Sequence, residues 1–346
     1  MQIYRLGDEG PEILDIQHRL HELGFMLPAS ERGVYDEETR AAVRAFQAQR
    51  SLRVDGIVGP DTWGQLVEAS FRLGDRTLYV HAPLLRGDDV RALQRKLDAL
   101  GFDPGKQDGM YGPATDAALR EFQRNVGEDV DGVVGLHTIA TLERMRPLDD
   151  APGRGVVRET EELRAIRGRL DGHVIAIDPG QAPPERDTPD VHLILARSVA
   201  VELARLGAKP AILREGPDDP SPSARAAIAN AMDAMVCVSL HPGEGVAESS
   251  GPTCSYFGSQ ATHSPAGRHL AELILEELEH ELQLRGRVQG LTVSLLRETR
   301  MPAVQVEALP PGDGAGAAAL RAPDTATRVG RAIAEGVRRF FEDERA

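Results

Sequence analysis

The sequence predicts an α/β C-terminal domain, built on a mostly parallel sheet with flanking helices, and two all-α modules of three helices each ahead of it. Two observations support this prediction. Residues 5–66 align with residues 84–142, and such a match indicates a duplicated module. From His173 onward, short apolar runs alternate with helical patterns, which is typical of an α/β fold. The predicted domains are residues 1–70, 80–145 and 172–342, with a linker over 146–171.

Composition narrows the classes of function. The net charge of −14 argues against a nucleic-acid binder, because phosphate contacts need clustered Lys and Arg. No run is long and apolar enough to span a bilayer, so membrane insertion is not expected. Met1–Gly10 lacks a basic region followed by an apolar run, so a cytoplasmic location is expected. Given that location, Cys237 and Cys254 are expected to be buried, reduced thiols.

Each copy of the repeat has the pattern of a small three-helix bundle. In the first copy, apolar residues recur at helical spacing from Ile13 to Leu23, and Gly24 is a natural C-terminal stop. The segment Val54–Gly59 has the composition of a turn, and Val130–Gly135 repeats it in the second copy. Three short helices of this kind can bury one small core.

The repeat motifs resemble the peptidoglycan-binding-domain family of three-helix repeats. They are the start Gly87–Gln94, the Tyr-Gly-Pro-x-Thr turn at Tyr111–Thr115, and a Phe-Gln pair followed by Val-Asp-Gly-x-Val-Gly in both copies. The resemblance implies peptidoglycan fragments or precursors as ligands, although the pair could instead be a protein-docking surface. Tyr35, Trp63 and Tyr111 are candidates for stacking on sugar or peptide, with a role in the core as the alternative for each.

The C-terminal domain shows strands whose carboxyl ends carry chemically useful side chains. The predicted strands are Val174–Ile177, Pro210–Leu213, Met235–Leu240, Thr253–Phe257 and Val304–Val306. The predicted helices are Val191–Leu206, Ser223–Ala234, Pro265–Leu284 and Thr325–Phe341. Sites in parallel sheets form at the carboxyl ends of strands. Gln181, His241 and Glu307 follow three of these ends, so they are expected to share one site.

Several motifs in this domain resemble the zinc-dependent N-acetylmuramoyl-L-alanine amidases of the type-3 family. They are Val-Ile-Ala-Ile-Asp-Pro-Gly at 174–180, Val-Ser-Leu-His at 238–241 and Met-Pro-Ala-Val-Gln-Val-Glu at 301–307. The resemblance covers about residues 172–342. Arg225, Asn230 and Arg297 also fit it and are binding candidates.

The resemblance implies a zinc site, but two ligand positions depart from the family pattern. In the family, a His after Asp-Pro-Gly, a Glu and a second His hold zinc, and another Glu is the general base on zinc-bound water. His241 matches a ligand and Glu307 matches the base, whereas Gln181 and Thr188 stand at the other two ligand positions. A carboxamide is a weak zinc ligand. The acidic neighbours Glu185, Asp187 and Asp190 leave a shifted carboxylate ligand open.

The resulting hypothesis is a catalytically degenerate amidase homologue that binds no cofactor. The chain resembles the actinobacterial cytoplasmic amidase-like proteins, which implies a regulator of peptidoglycan precursor synthesis acting through a synthetic enzyme. The alternatives are an active zinc amidase and a muropeptide binder without an enzyme partner. Thr325 and Thr327 are candidate phosphosites, with a helix N-cap as the alternative for either.

Overall fold

The computed structural model describes residues 3–25, 31–145, 154, 157–158, 161, 168, 170–181, 190–216, 219–241, 251–259, 262–309, 319–320 and 322–343. The chain divides into two compact units, Met1–Glu159 and Thr160–Ala346. Most of the predicted linker, including its charged segment over 159–170, lies outside the described residues. No helix in the described ranges combines the length and apolar character needed to cross a membrane.

The N-terminal unit contains the two predicted modules of three helices. The helices are α1 Pro11–Glu22, α2 Glu37–Gln49, α3 Pro60–Glu68, α4 Asp88–Ala99, α5 Pro113–Val126 and α6 Leu136–Arg144. Each module has its own apolar core, centred on Phe46 in the first copy and Phe122 in the second. One antiparallel bridge recurs in both copies, between Tyr4 and Val58 and between Leu78 and Val134. The duplication seen in the sequence is therefore a duplication of the fold.

The repeated Phe-Gln and Val-Asp-Gly motifs meet inside each module. Gln47 is buried, and its Nε2 donates to Asp55 Oδ1 at 2.7 Å while its Oε1 accepts from the Gly56 backbone N–H at 2.8 Å. In the second copy, Gln123 Nε2 donates to Asp131 Oδ1 at 2.7 Å. The carboxamide thus ties the second helix to the turn that precedes the third. These motif residues build the module, which explains why both copies keep them.

The C-terminal unit is a six-stranded sheet in the order β2-β1-β3-β6-β4-β5. The strands are β1 Val174–Asp178, β2 Lys209–Ile212, β3 Val236–His241, β4 Thr253–Phe257, β5 Arg287–Leu291 and β6 Ala303–Glu307. The helices are α7 Val191–Arg205, α8 Pro222–Ala231, α9 Pro265–Leu282, α10 Ser294–Glu298 and α11 Pro323–Glu342. Neighbouring strands are parallel except for β4 against β6, which confirms the predicted α/β class.

Two elements were absent from the sequence prediction, β5 and the short helix α10. The β5 segment reads Arg-Val-Gln-Gly-Leu and forms the edge of the sheet, so it lacks the continuous apolar run that marked the central strands. Helix α10 has only five residues, too few to show helical periodicity.

The sheet buries a different apolar layer on each face. One face packs against α7, α9 and α11 through residues such as Ile175, Val238 and Val304. The other face packs against α8 and α10 through Ala176 and Ala303, among others. Side chains alternate along a strand, so residues two positions apart share a face. In β1, β3 and β6, the residue two positions beyond the apolar residue of this layer, toward the carboxyl end, therefore also lies on the second face.

Candidate functional site

His241 and Glu307 lie side by side at the carboxyl edge of the sheet. His241 is the last residue of β3 and Glu307 the last of β6, and the two are register partners on adjacent parallel strands. Adjacent strands lie about 4.8 Å apart, so the two side chains start from neighbouring positions. Both residues are half-buried. The structure therefore brings this predicted pair together.

The turn after β1 brings Gly180 close to His241. Gly180 has φ +66°, and a Cβ on it would lie 2.7 Å from the Leu240 carbonyl oxygen and 3.5 Å from His241 Nε2. The close approach and the left-handed backbone both require glycine here. Gln181, the next residue, is exposed. A carboxamide rather than an imidazole is therefore presented directly after the turn that contacts the histidine.

Asp178 anchors this turn from inside the sheet. It is fully buried, accepts a 2.7 Å hydrogen bond from Ser239 Oγ and forms an ion pair with Arg225, with 2.8 Å between Nε and Oδ1. Arg225 is itself buried, with 2% exposure. The prediction that Arg225 binds ligand is corrected, because its guanidinium serves as the counter-charge of a buried carboxylate.

Arg214 also shapes the site, although the sequence analysis did not single it out. Its Nε donates to the Gly180 carbonyl at 3.1 Å, and its Nη1 donates to Asp190 Oδ2 at 2.7 Å. Asp190 in turn caps α7 by accepting from the Leu193 backbone N–H at 3.0 Å. One buried guanidinium thus fixes both flanks of residues 182–189. The available signal was an arginine directly after β2, at the same edge of the sheet.

Asn230 lies in α8 and Arg297 in α10. Asn230 Nδ2 donates to the Glu298 carbonyl at 2.9 Å, and its Oδ1 accepts from the Arg300 backbone N–H at 2.8 Å. These bonds join α8 to the end of α10, and a ligand role for Asn230 stays a prediction. Arg297 is 4% exposed. Its guanidinium is therefore largely screened from solvent, and a ligand role for Arg297 stays a prediction.

The three aromatic ligand candidates in the N-terminal unit differ in how deeply they are buried. Tyr35 and Tyr111 are fully buried, and their hydroxyls donate to the carbonyls of Gly56 and Gly132 at 2.9 and 3.1 Å. The predicted ligand stacking is corrected for both tyrosines, because neither ring has an exposed face. Trp63 is half-buried, with the Arg19 guanidinium carbon 5.6 Å from the ring centroid, and it stays a candidate.

The cysteines are buried and form no disulfide, as predicted. Burial raises the pKa of the Cys254 thiol, and the nearby negative charge of Glu307 raises it further. Cys254 therefore remains a neutral thiol beneath the Glu307 end of the site, where it is a poor metal ligand and a poor nucleophile.

Two polar rows cross the second face of the sheet at this edge. In register, the inner row runs Asp178, Ser239, Gln305, Ser255 and Gln289 across five strands. The outer row runs His241, Glu307, Thr253 and Arg287. The site is thus a polar floor at the end of an otherwise apolar layer.

The described residues do not fit a zinc site with three protein ligands. His241 supplies an imidazole, but Gln181, the residue after the turn that approaches it, has a carboxamide. Within the described ranges, no three His, Cys, Asp or Glu side chains are grouped so as to hold a metal. Thr188, Glu185 and Asp187 lie outside the described residues. No hydrolytic step is therefore derived through zinc.

Comparison with known proteins identifies the family. Residues 9–66 and 86–142 match the model of the putative peptidoglycan binding domain, and residues 172–339 match that of N-acetylmuramoyl-L-alanine amidase. The protein named N-acetylmuramoyl-L-alanine amidase CwlM, from Mycobacterium tuberculosis, is 37% identical over 328 residues, which cover 88% of this chain and 80% of CwlM. The chain belongs to the N-acetylmuramoyl-L-alanine amidase family.

Other amidases match about half of the chain or less. The amidase CwlL of Bacillus licheniformis is 35% identical over 164 residues, covering 41% of this chain and 46% of CwlL. The catalytic domain of CwlV from Paenibacillus polymyxa superposes with a TM-score of 0.42 and 23% identity, covering 48% of this chain and 96% of that domain. Ami1 of Mycobacterium smegmatis gives a TM-score of 0.43 and 18% identity, covering 50% of this chain and 99% of Ami1.

Proposed function

We propose that this protein is a catalytically degenerate amidase homologue that binds muropeptides and regulates the synthesis of cell-wall precursors. Its two putative peptidoglycan binding domains support recognition of peptidoglycan fragments or precursors. The C-terminal domain contributes a polar cleft, and the regulatory output passes through a peptidoglycan-synthesis enzyme. The proposal locates the protein in the cytoplasm, which cell fractionation can check.

The observation that carries the proposal is Gln181. It follows a turn whose Gly180 Cβ position would lie 3.5 Å from His241 Nε2, and it takes the place of the histidine that the family pattern has directly after Asp-Pro-Gly. Carboxamides are weak zinc ligands and imidazoles strong ones. This single exchange removes affinity for the metal while the surrounding scaffold stays intact.

Metal analysis tests this proposal directly. We expect the purified wild-type protein to carry less than stoichiometric zinc, and Gln181→His to raise its zinc content, because an imidazole then faces His241. His241→Ala in the Gln181→His background is the matched control and should abolish the gain. Stoichiometric zinc in the wild type, lost on His241→Ala, would overturn the proposal.

The second candidate function is an active zinc amidase that cleaves the bond between N-acetylmuramate and L-alanine. The adjacent register of His241 and Glu307 favours it, since both the imidazole and the carboxylate are present. It is also the activity in the name of CwlM. Muropeptide turnover by the wild type, abolished by Glu307→Gln, would establish this function in place of the first.

The regulatory part of the proposal needs a separate experiment. We expect the wild-type chain to retain a peptidoglycan-synthesis enzyme from cell lysate in a pull-down. The variants His241→Ala and Glu307→Ala should retain less of it. Recovery of no such enzyme from phosphatase-treated and untreated lysates would leave a muropeptide binder without an enzyme partner.

A further inference from the structure

Tyr79, in the second of the two repeated modules, has the most exposed aromatic ring of the described residues. It is 42% exposed, whereas every other Phe, Trp and Tyr in the described ranges is half-buried or buried. The residue before it, Leu78, is fully buried and forms the antiparallel bridge with Val134. Side chains alternate along extended backbone, so Tyr79 lies on the side away from the module core.

The ring of His81 stands at a right angle to the Tyr79 ring. The two ring centroids are 5.9 Å apart, and the ring planes meet at 85°. His81 is exposed, and its ring is oriented because Nδ1 donates to the Pro83 carbonyl at 2.9 Å. With the hydrogen on Nδ1, the neutral imidazole keeps Nε2 as an acceptor. The pair Tyr79 and His81, here called the aromatic corner, therefore joins an apolar ring to a hydrogen-bond acceptor.

The first module has no aromatic corner at the equivalent place. The antiparallel bridges align the two copies, since both involve the last valine of the repeated Val-Asp-Gly-x-Val-Gly motif. Counted from that bridge, Arg5 stands where the second copy has Tyr79, and Gly7 stands where it has His81. The first copy forms the same three-helix core without these rings. Formation of the module core therefore does not explain the corner, whereas binding does.

The charge around the corner narrows the class of ligand. Residues 77–85, which contain the corner, and residues 125–135, which the bridge joins to them, have no Lys or Arg. The second of these segments contains the acidic residues Glu128, Asp129 and Asp131. Arg120 donates to the Val130 carbonyl, but Asp116 matches its charge at 2.8 Å. Phosphates and free carboxylates are therefore disfavoured, and a neutral ligand fits best.

We propose that Tyr79 and His81 bind a neutral pyranose ring of the N-acetylglucosamine class, and that this site belongs to the second module alone. The C–H face of such a ring is apolar and stacks on an aromatic ring. Its hydroxyl and acetamido N–H groups donate hydrogen bonds, which His81 Nε2 can accept. This inference rests on the proposed function, in which the sugar belongs to a muropeptide. It adds that the two repeats are not equivalent binders.

The test uses saturation-transfer NMR of the full chain with triacetylchitotriose, an uncharged trimer of N-acetylglucosamine without peptide. Tyr79→Ala should weaken binding of this probe about 3- to 10-fold, the range expected for one lost aromatic contact. Tyr79→Phe keeps the ring and should bind the probe as the wild type does. A loss in Tyr79→Phe as large as in Tyr79→Ala would assign the contact to the hydroxyl and overturn the stacking.

Two matched controls separate the corner from its surroundings. Val80→Ala removes a neighbouring apolar side chain that is 51% exposed, and Arg5→Ala changes the equivalent position of the first module. Neither variant should change binding of the probe. An equal loss in Val80→Ala would indicate a general apolar contact, and an equal loss in Arg5→Ala would show that both modules bind. Either result would contradict the proposed site.

A second probe, N-acetylglucosaminyl-muramyl dipeptide, separates this inference from the function on which it rests. Tyr79→Ala should weaken its binding by the same factor. If the variant binds it as well as the wild type does, the sugar assignment fails and muropeptide recognition stands. If Tyr79→Ala instead weakens binding of the dipeptide L-alanyl-D-isoglutamine alone, the corner binds peptide and the assignment fails again. If the wild type binds neither the trimer nor the muropeptide, muropeptide recognition itself fails and takes this inference with it.

Discussion

At the scale of single residues, the site is determined by which side chain follows each strand. Gly180 allows the turn after β1 to close on His241, and Arg214 holds that turn through the Gly180 carbonyl at 3.1 Å. Gln181 follows this turn and is exposed. Sequence comparison within a motif finds such an exchange easily. The support that Arg214 gives to the turn became visible only when β2 was placed beside β1.

Substitution of Gly180 tests how tightly this turn is constrained. Gly180→Ala should destabilise the protein by about 1–3 kcal/mol, since φ is +66° and the new Cβ would lie 2.7 Å from a backbone oxygen. Gly216→Ala is the control, because nothing lies within 4 Å of its Cβ position. Urea unfolding curves measure both variants, and equal midpoints would contradict the proposed strain.

At the scale of elements, the two polar rows arise from strand register. The pairing of β3 with β6 aligns His241 with Glu307, and the antiparallel pairing of β4 with β6 adds Thr253 to the same row. In the N-terminal unit, a charged pair ties the segment between the two modules to α4. Arg76 Nε contacts the fully buried Asp89 at 2.7 Å, and its guanidinium carbon lies 3.8 Å from the Phe71 ring centroid.

The Arg76–Asp89 pair predicts a clear stability effect. Asp89→Asn should lower the free energy of unfolding of the N-terminal unit by about 1–3 kcal/mol, because the ion pair at a buried carboxylate is lost. Asp15→Asn is the matched control: its pair with Arg19 is 41% exposed at the aspartate, so a change below about 1 kcal/mol is expected. Trp63, the chain's single tryptophan, reports the unfolding by fluorescence. Similar losses in the two variants would argue against the burial effect.

At the scale of the whole molecule, each unit has cores of its own and a natural reporter. The single tryptophan lies in the unit Met1–Glu159, while both cysteines lie in the unit Thr160–Ala346. Burial raises the pKa of Cys254 in one unit and of Tyr35 and Tyr111 in the other. Because these pKa values are raised in the folded state, the stability of both units should depend on pH in the alkaline range.

Both units should lose stability as the pH rises, in different ranges. A group whose pKa is higher in the folded state than in the unfolded state stabilises the fold fully at pH values below its unfolded pKa. This stabilisation is lost as the pH rises above the unfolded pKa toward the folded pKa. The C-terminal unit should therefore weaken from about pH 8.5 and the N-terminal unit from about pH 10. The urea midpoint of the C-terminal unit can be measured by pulsed alkylation of Cys237, and that of the N-terminal unit by Trp63 fluorescence.

Variants assign the alkaline effects to particular groups. Cys254→Ala should flatten the decline of the C-terminal unit near pH 9, and Tyr111→Phe should reduce that of the N-terminal unit above pH 10. Midpoints that stay constant from pH 7.5 to 10.5 would contradict the raised pKa values.

Much of the fold could be predicted because its signals are local. The duplicated modules follow from repeated motifs, and the central strands follow from continuous apolar runs such as Met235–Leu240. The edge strand β5 and the short α10 escaped prediction, since an edge strand needs no continuous apolar run and five residues show no periodicity.

The sequence by itself determined the family resemblance, the repeat and the exchange at Gln181, because these depend on residue identity and order. Only the tertiary structure decided which polar residues are buried and what they contact. It placed Tyr35 and Tyr111 in module cores, paired Arg225 with Asp178, and aligned His241 with Glu307. Burial and register join residues from distant segments, so no single motif contains that information.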